Sequence, residues 1–298
     1  MRKLRTIAGV GLAAAALFGL TACNSGSPDG TGTSDSADDP WEVATDVTLD
    51  GSPTFDRITD AGKVTIGVKE DQPGLGYLDP ATNERSGFDI DIARWMAASL
   101  GYDEDDITFE AIASANREQA IVNGDIDFYV GTYSITDERK ELISFAGPYF
   151  ITGQGLLVAA DNDTITGEDS LTDSDVVCSA TGSTSIQRIK DDTPAQTKEY
   201  DTYSQCVEDL KSGQVDAVTT DEAILIGYAA QDPDNLKIVG DVFSEERYGI
   251  GLTKGDTVLQ AFFNDTLTNG GDIWQQIFDN NLGSAGVDAT QPTVDPVE

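Results

Sequence analysis

Not one histidine occurs among the 298 residues. That absence removes the commonest general base, the Ser-His and Cys-His nucleophile pairs and most zinc sites together, so hydrolysis and metal chemistry have little to work with. Positive charge is scarce as well: 18 lysines and arginines face 53 aspartates and glutamates, a formal net charge of −35. Nucleic acid is therefore excluded as a partner, because its phosphates need cations. Long apolar runs are missing. After Cys23 no segment approaches the about 20 apolar residues that span a bilayer, so the rest of the chain is expected outside the membrane. Cysteine is limited to three residues.

What is present begins at the N-terminus. Arg2, Lys3 and Arg5 precede an apolar run over residues 7–20 that is too short to span and reads as an export signal. It ends in Leu20-Thr21-Ala22-Cys23, which resembles the lipobox of bacterial lipoproteins. The resemblance implies that residues 1–22 are a signal peptide and that Cys23 is lipidated, tethering the mature chain to the extracellular face of the cell membrane. Cys178 and Cys206 remain, and an even pair in an oxidising compartment suits a disulfide; two free buried thiols are the alternative.

Residues 23–52 are rich in Ser, Gly, Thr, Asp and Pro, which predicts a flexible acidic tether, and residues 284–298 read as a similar disordered tail. Between them strand and helix signals alternate. Residues 64–68, 107–112 and 126–130 are strand-like, whereas 88–100 and 117–122 carry helical spacing. Strands separated by helices of this length predict parallel pairing in an α/β sheet. The pattern restarts after Leu156, with strands near Val176 and Val215 and helices over 183–190, 204–210 and 221–230. The apolar part after Tyr248, helical over 258–278, has no complete sheet of its own. A chain that leaves one lobe near Tyr149 and returns near Tyr248 would cross twice between lobes, giving a hinge above a cleft. The expected division is lobe one over 53–150 and 248–283, and lobe two over 151–247.

The richest stretch is 131–139, Gly-Thr-Tyr-Ser-Ile-Thr-Asp-Glu-Arg. Thr132 and Ser134 alternate along an extended run, which puts both hydroxyls on one side. Thr136 followed by Asp137 and Glu138 reads as a helix N-cap, and Arg139 adds a planar fork suited to a carboxylate. The plainer account is a strand-to-helix turn whose polar groups satisfy their own backbone. A second Gly-rich turn, Ala180-Thr-Gly-Ser-Thr-Ser185, runs into a helix and is either an anion site or an ordinary capped helix.

Residues 87–100, Gly-Phe-Asp-Ile-Asp-Ile-Ala-Arg-Trp-Met-Ala-Ala-Ser-Leu, resemble the signature of the polar amino-acid family of bacterial solute-binding proteins that feed ABC importers. Residues 135–139 match a further segment of that family. On physical grounds Phe88, Ile90, Ile92, Trp95, Met96 and Leu100 form a buried helical strip, so packing accounts for all six. The resemblance implies a two-lobed, periplasmic-binding-protein-like (type II) α/β fold with two hinge crossings and a central ligand cleft. It also implies that Arg139 and Ser134, with Ser183 and Thr184 of the second turn, hold a ligand α-carboxylate. Asp221, helped by Thr132, would accept the α-ammonium, with an N-cap role as the sober alternative for Asp221. Lys69 and Arg117 occupy positions that relatives use for the ligand side chain, and two cations there would suit a second carboxylate. The aromatic platform that many relatives present is missing from residues 72–75, leaving Tyr77 or Tyr133 as substitutes.

The implied function is a lipid-anchored receptor, a monomer without cofactor or metal, that captures glutamate or a related acidic or amidic L-amino acid. Its partners would be an ABC permease and that permease's ATPase subunit. Two rivals remain: a dehydratase-like enzyme on the same scaffold, with Glu70 or Asp71 as proton donor, and an extracellular sensory domain.

Overall fold

A computed structural model describes residues 39–283, 286–287 and 289–297. The signal segment and Cys23 lie outside the described residues. The first part of the fold comprises α1 (Pro53–Ala61), β1 (Val64–Val68), β2 (Asp71–Gln72), β3 (Gly76–Leu78), β4 (Arg85–Ser86) and α2 (Phe88–Ser99). It continues with β5 (Ile107–Ala111), α3 (Arg117–Asn123), β6 (Phe128–Tyr129), α4 (Asp137–Leu142) and β7 (Ser144–Thr152). A second part follows: β8 (Gln154–Ala159), β9 (Val176–Ala180), α5 (Thr184–Asp192), β10 (Gln196–Tyr200), α6 (Tyr203–Lys211), β11 (Ala217–Asp221), α7 (Glu222–Gln231) and β12 (Leu236–Val239). The chain then returns through β13 (Glu246–Leu252), α8 (Thr257–Asn269) and α9 (Gly271–Asn281).

Among the described residues the strands form two five-stranded sheets, ordered β5-β1-β6-β13-β7 and β10-β9-β11-β8-β12, and a small sheet β2-β3-β4. The expected parallel pairing holds for β1 with β5 and β6, and for β9 with β10 and β11. It fails for β13, which runs antiparallel to β6 and β7, and for β8, antiparallel to β11 and β12. The reason is connectivity. β7 passes into β8 through Gly153 alone, and β13 brings the chain back beside β7, so neither strand needs the helical crossover that parallel neighbours require. A Cβ at Gly153 would lie 2.6 Å from the Ser244 carbonyl oxygen, so only glycine lets the two crossing segments come this close.

Helix α2 buries the predicted strip: Phe88, Ile90, Ile92, Trp95, Met96 and Leu100 are all buried. Phe88 meets Phe150, Trp274 and Phe278 in an aromatic cluster that ties α2 and α9 to β7. Cys178 on β9 and Cys206 on α6 are joined as a disulfide, their Cα atoms 5.5 Å apart.

Two expectations need correction. The tether predicted over 23–52 is not loose in its described part: Trp41, Val47 and Leu49 pack against the core, and the Ala44 N–H donates to Ala98 at 2.8 Å. The tail predicted over 284–298 also docks. Val287, Ala289 and Val294 pack on the core, the Asp295 N–H donates to Gly147 O at 2.7 Å, and the Asp295 carboxylate pairs with Arg247 at 2.7 Å. Sparse apolar residues in a polar sequence were enough to hold both segments, because the groove they fill is supplied by the rest of the chain.

Candidate functional site

The residues singled out from sequence sit where parallel strands end and their connections turn away, the place where open α/β sheets build sites. Lys69 follows β1. Ser114 and Arg117 follow β5, and the 131–134 turn follows β6. From the second sheet come the turn after β9, carrying Gly182 and Ser183, and the end of β11 at Asp221.

Lys69, Arg117 and Arg139 are all buried. The Lys69 ammonium donates to Ser114 Oγ at 2.7 Å; burial foremost, then the neighbouring Arg117 charge, push its pKa down to about 7. Arg117 donates from Nε to Ser114 O at 3.0 Å and from Nη2 to Gly182 O at 3.3 Å. Arg139 donates from Nη1 to Ser134 O at 2.7 Å and from Nη2 to the same Gly182 O at 3.1 Å, and its Nε lies 3.2 Å from Glu118. These contacts engage three of the five N–H donors of the Arg139 guanidinium, leaving two for another acceptor. The Tyr133 ring lies 4.2 Å from the Arg117 guanidinium carbon and 4.9 Å from that of Arg139, so the aromatic expected at this site is a floor for the arginines. Tyr77, the other candidate, lines a different cleft.

Gly182 brings the second sheet's turn against this cluster. It has φ +76°, and a Cβ there would approach Ala115 Cα to 2.8 Å, so glycine is needed both for the left-handed turn and for the close approach. Ser183 caps α5 by accepting the Ile186 N–H at 3.1 Å, and its hydroxyl meets Ser179 Oγ at 3.2 Å. Thr184 turns its hydroxyl to Glu246 Oε2 at 3.1 Å. Asp221 occupies the N-cap position of α7 without capping it through its side chain. Its carboxylate instead accepts the Tyr248 hydroxyl at 2.6 Å, and burial with nearby Glu246 raises its pKa to about 7.

Thr132 is a non-glycine residue with φ +47°, a costly conformation held by its surroundings. Its N–H donates to Asp89 Oδ2 at 3.0 Å, and its hydroxyl lies 3.1 Å from the Gln72 amide nitrogen. Asp89 is fully buried, accepts the Tyr149 hydroxyl at 2.7 Å, and has its pKa raised by burial to about 6. Ser134 is buried beside it and bridges backbone to backbone with Tyr248.

Cations thus gather where strands of the first sheet end, while Asp221 ends β11 of the second sheet and Glu246 begins β13 of the first, and Arg139, Ser183, Thr184, Ser114 and Glu246 line a cleft of about 670 Å³. Lys69, Arg117, Thr132, Ser134 and Asp221 are buried and outside that lining. Such a bipolar arrangement fits a small molecule with separated charges and offers neither a nucleophile–base pair nor, among the described residues, a metal-ligand cluster. Asp89, Gln72, Ser114, Glu246 and Tyr248 were not singled out from sequence. Only Asp89 left a signal, as an acid inside an apolar helical strip.

Residues 64–272 match the sequence model of a family described as bacterial extracellular solute-binding proteins, family 3. A glutamate-binding protein GluB of Corynebacterium efficiens is 44% identical over 234 residues, covering 74% of this chain and 79% of that protein. A glutamine-binding protein of Geobacillus stearothermophilus is 40% identical over 205 residues, 68% of this chain and 78% of that protein. Among solved structures, an ancestral arginine-binding protein bound to arginine superposes with a TM-score of 0.69 at 34% identity, covering 74% of this chain and 99% of that one. The fold is that of type II periplasmic binding proteins.

Proposed function

Because the chain belongs to family 3 of the bacterial extracellular solute-binding proteins, which are receptors and not enzymes, we propose that it captures an acidic or amidic L-amino acid, glutamate first. Aspartate, glutamine and asparagine follow in order. The ligand is released to an ABC permease driven by its ATPase subunit, and Cys23 carries the lipid anchor that keeps the receptor at the outer face of the membrane. The observation that carries this reading is the buried trio Lys69, Arg117 and Arg139 set against Asp221. Three cations buried together repel one another, and an incoming dicarboxylate supplies the missing negative charge. The names of the relatives, one for glutamate and one for glutamine, agree with it.

In the proposed complex the two spare N–H donors of Arg139, with the Ser134 hydroxyl and the N–H groups at the start of α5, at Ser183 and Thr184, hold the α-carboxylate. The Asp221 carboxylate and Thr132 receive the α-ammonium. Lys69 and Arg117 meet the distal carboxylate. Residues 53–150 with 248–283 form one lobe and 151–247 the other, and they close about Gly153 and the stretch before β13, so that contacts from both sides stabilise the closed state.

Calorimetry on Arg139→Ala tests the assignment. Loss of a buried, charge-paired donor costs about 2–5 kcal/mol, a fall of about 30- to several thousand-fold in affinity for glutamate and glutamine alike. Unchanged affinity would remove Arg139 from the site.

A further inference from the structure

Helix α6 is capped from outside its own half of the fold. The first turn of any helix leaves N–H groups without intrahelical partners, and a side chain at the N-cap normally takes one. Thr202 holds that position but caps nothing: its hydroxyl donates to Gln205 Oε1 at 3.1 Å and accepts from Ser204 Oγ at 3.1 Å. The Ser204 N–H instead donates to the carboxylate of Asp71, at 3.1 Å and 133 positions away in sequence. Asp71 belongs to the small sheet at the edge of the first part. The hydroxyl of Tyr228 on α7 reaches the same carboxylate at 3.3 Å and also donates to the Asp71 backbone carbonyl. Close approach is built in here as well, because a Cβ at Gly227 would lie 2.2 Å from Pro73 O. The helix end is fixed on its own side by the disulfide through Cys206, so the cap meets a rigid target.

We propose that Asp71 is a closure latch, a positioning residue that completes the α6 N-terminus and engages Tyr228 only when the two lobes meet, and so sets affinity without touching the ligand. This rests on the receptor reading, since it needs lobes that open and close. A negative group at a helix N-terminus is favourable through both the hydrogen bond and the helix dipole, and that gain is available only in the closed state. Ligand release must break it. The latch therefore acts on every ligand by the same factor, unlike Lys69 or Arg117. Asp71 also lies close enough to Lys69 to favour its charged form, so Tyr228→Phe, which leaves both charges in place, is the variant on which selectivity is judged.

The test uses the full chain with L-glutamate and L-glutamine, reading affinity and dissociation rate for the unmodified protein, Asp71→Ala, Asp71→Asn and Tyr228→Phe. Hydrogen exchange at the Ser204 amide is followed with and without ligand. Asp71→Ala and Tyr228→Phe should each weaken binding by about 3- to 30-fold through faster dissociation, with Asn at 71 falling between Ala and Asp. Tyr228→Phe should leave the glutamate-to-glutamine ratio intact, and ligand should protect the Ser204 amide in the unmodified protein but not in Asp71→Ala. Unchanged affinity in both variants, or a changed ratio in Tyr228→Phe, overturns the latch. If the unmodified protein takes neither amino acid, the ligand assignment fails, and the same comparison is repeated with the other proteinogenic L-amino acids; one that binds and protects the Ser204 amide equally in the unmodified protein and in Asp71→Ala overturns the latch.

Discussion

Lys69 and Asp221 are both buried, and burial shifts their pKa values in opposite senses. Asp221 titrates at about 7 when folded against 3.8 in a free chain, so its contribution to stability is fully present below about 3.8 and is lost as pH rises through about 7. Asp89, raised to about 6, acts with the same sign. Lys69, lowered from 10.5 to about 7, contributes fully above about 10.5 and loses that contribution as pH falls through about 7. Thermal melts of the ligand-free protein should therefore show stability declining between about pH 4 and 7, and Asp221→Asn should flatten that decline. An unaltered slope would place the titration elsewhere. Selectivity belongs to this scale too. Lys69→Ala should weaken glutamate by about 10- to 150-fold, the worth of a charged hydrogen bond, while moving glutamine by no more than about 3-fold, as calorimetry can report. Arg139 and Ser134 were legible as candidates because their residue types announce charge and hydrogen bonding, whereas Asp221 was singled out through the family resemblance. Gln72 and Ser114 were not singled out, since nothing in a lone polar residue tells that a distant turn will fold over it.

Among elements, α7 offers a test in which helix propensity and packing predict opposite signs. Gly227 lies inside that helix, where alanine is ordinarily better by about 1 kcal/mol, yet its missing Cβ makes room for Pro73 O. Gly227→Ala should leave the free protein as stable or more so by melting temperature, and should lower affinity for every ligand because closure is obstructed. A loss of stability with intact affinity would contradict the close approach. The long helices were readable from period alone: the strip in α2, and the region 258–278 that becomes α8 and α9, broken at Gly270. A Cβ at Gly270 would sit 2.1 Å from the Trp95 ring, so the break makes room for the largest side chain of the α2 strip. The strands β2, β3 and β4 are two or three residues long, too short to show alternation, and they exist only because their neighbours pair with them.

At the scale of the molecule the net charge of −35 opposes the approach of an anion, whereas the interior trio attracts it. Screening over about 8 Å at physiological salt removes the long-range repulsion before it weakens the buried attraction. Stopped-flow association of glutamate should therefore speed up as salt is raised from low ionic strength; rates that fall with salt would show local attraction dominating at long range.

By itself the sequence determined the α/β class, the apolar helical strips and the cysteine pair, because periodicity and residue type are local properties, and its resemblance to a family named the charged candidates for the site. The tertiary structure alone decided that β13 returns antiparallel beside β7, that the two terminal segments dock, and that Asp71 caps a helix 133 residues away. Each of these depends on surfaces from distant parts of the chain meeting at hydrogen-bond or van der Waals range, and no single stretch of sequence carries the shape of its eventual partner.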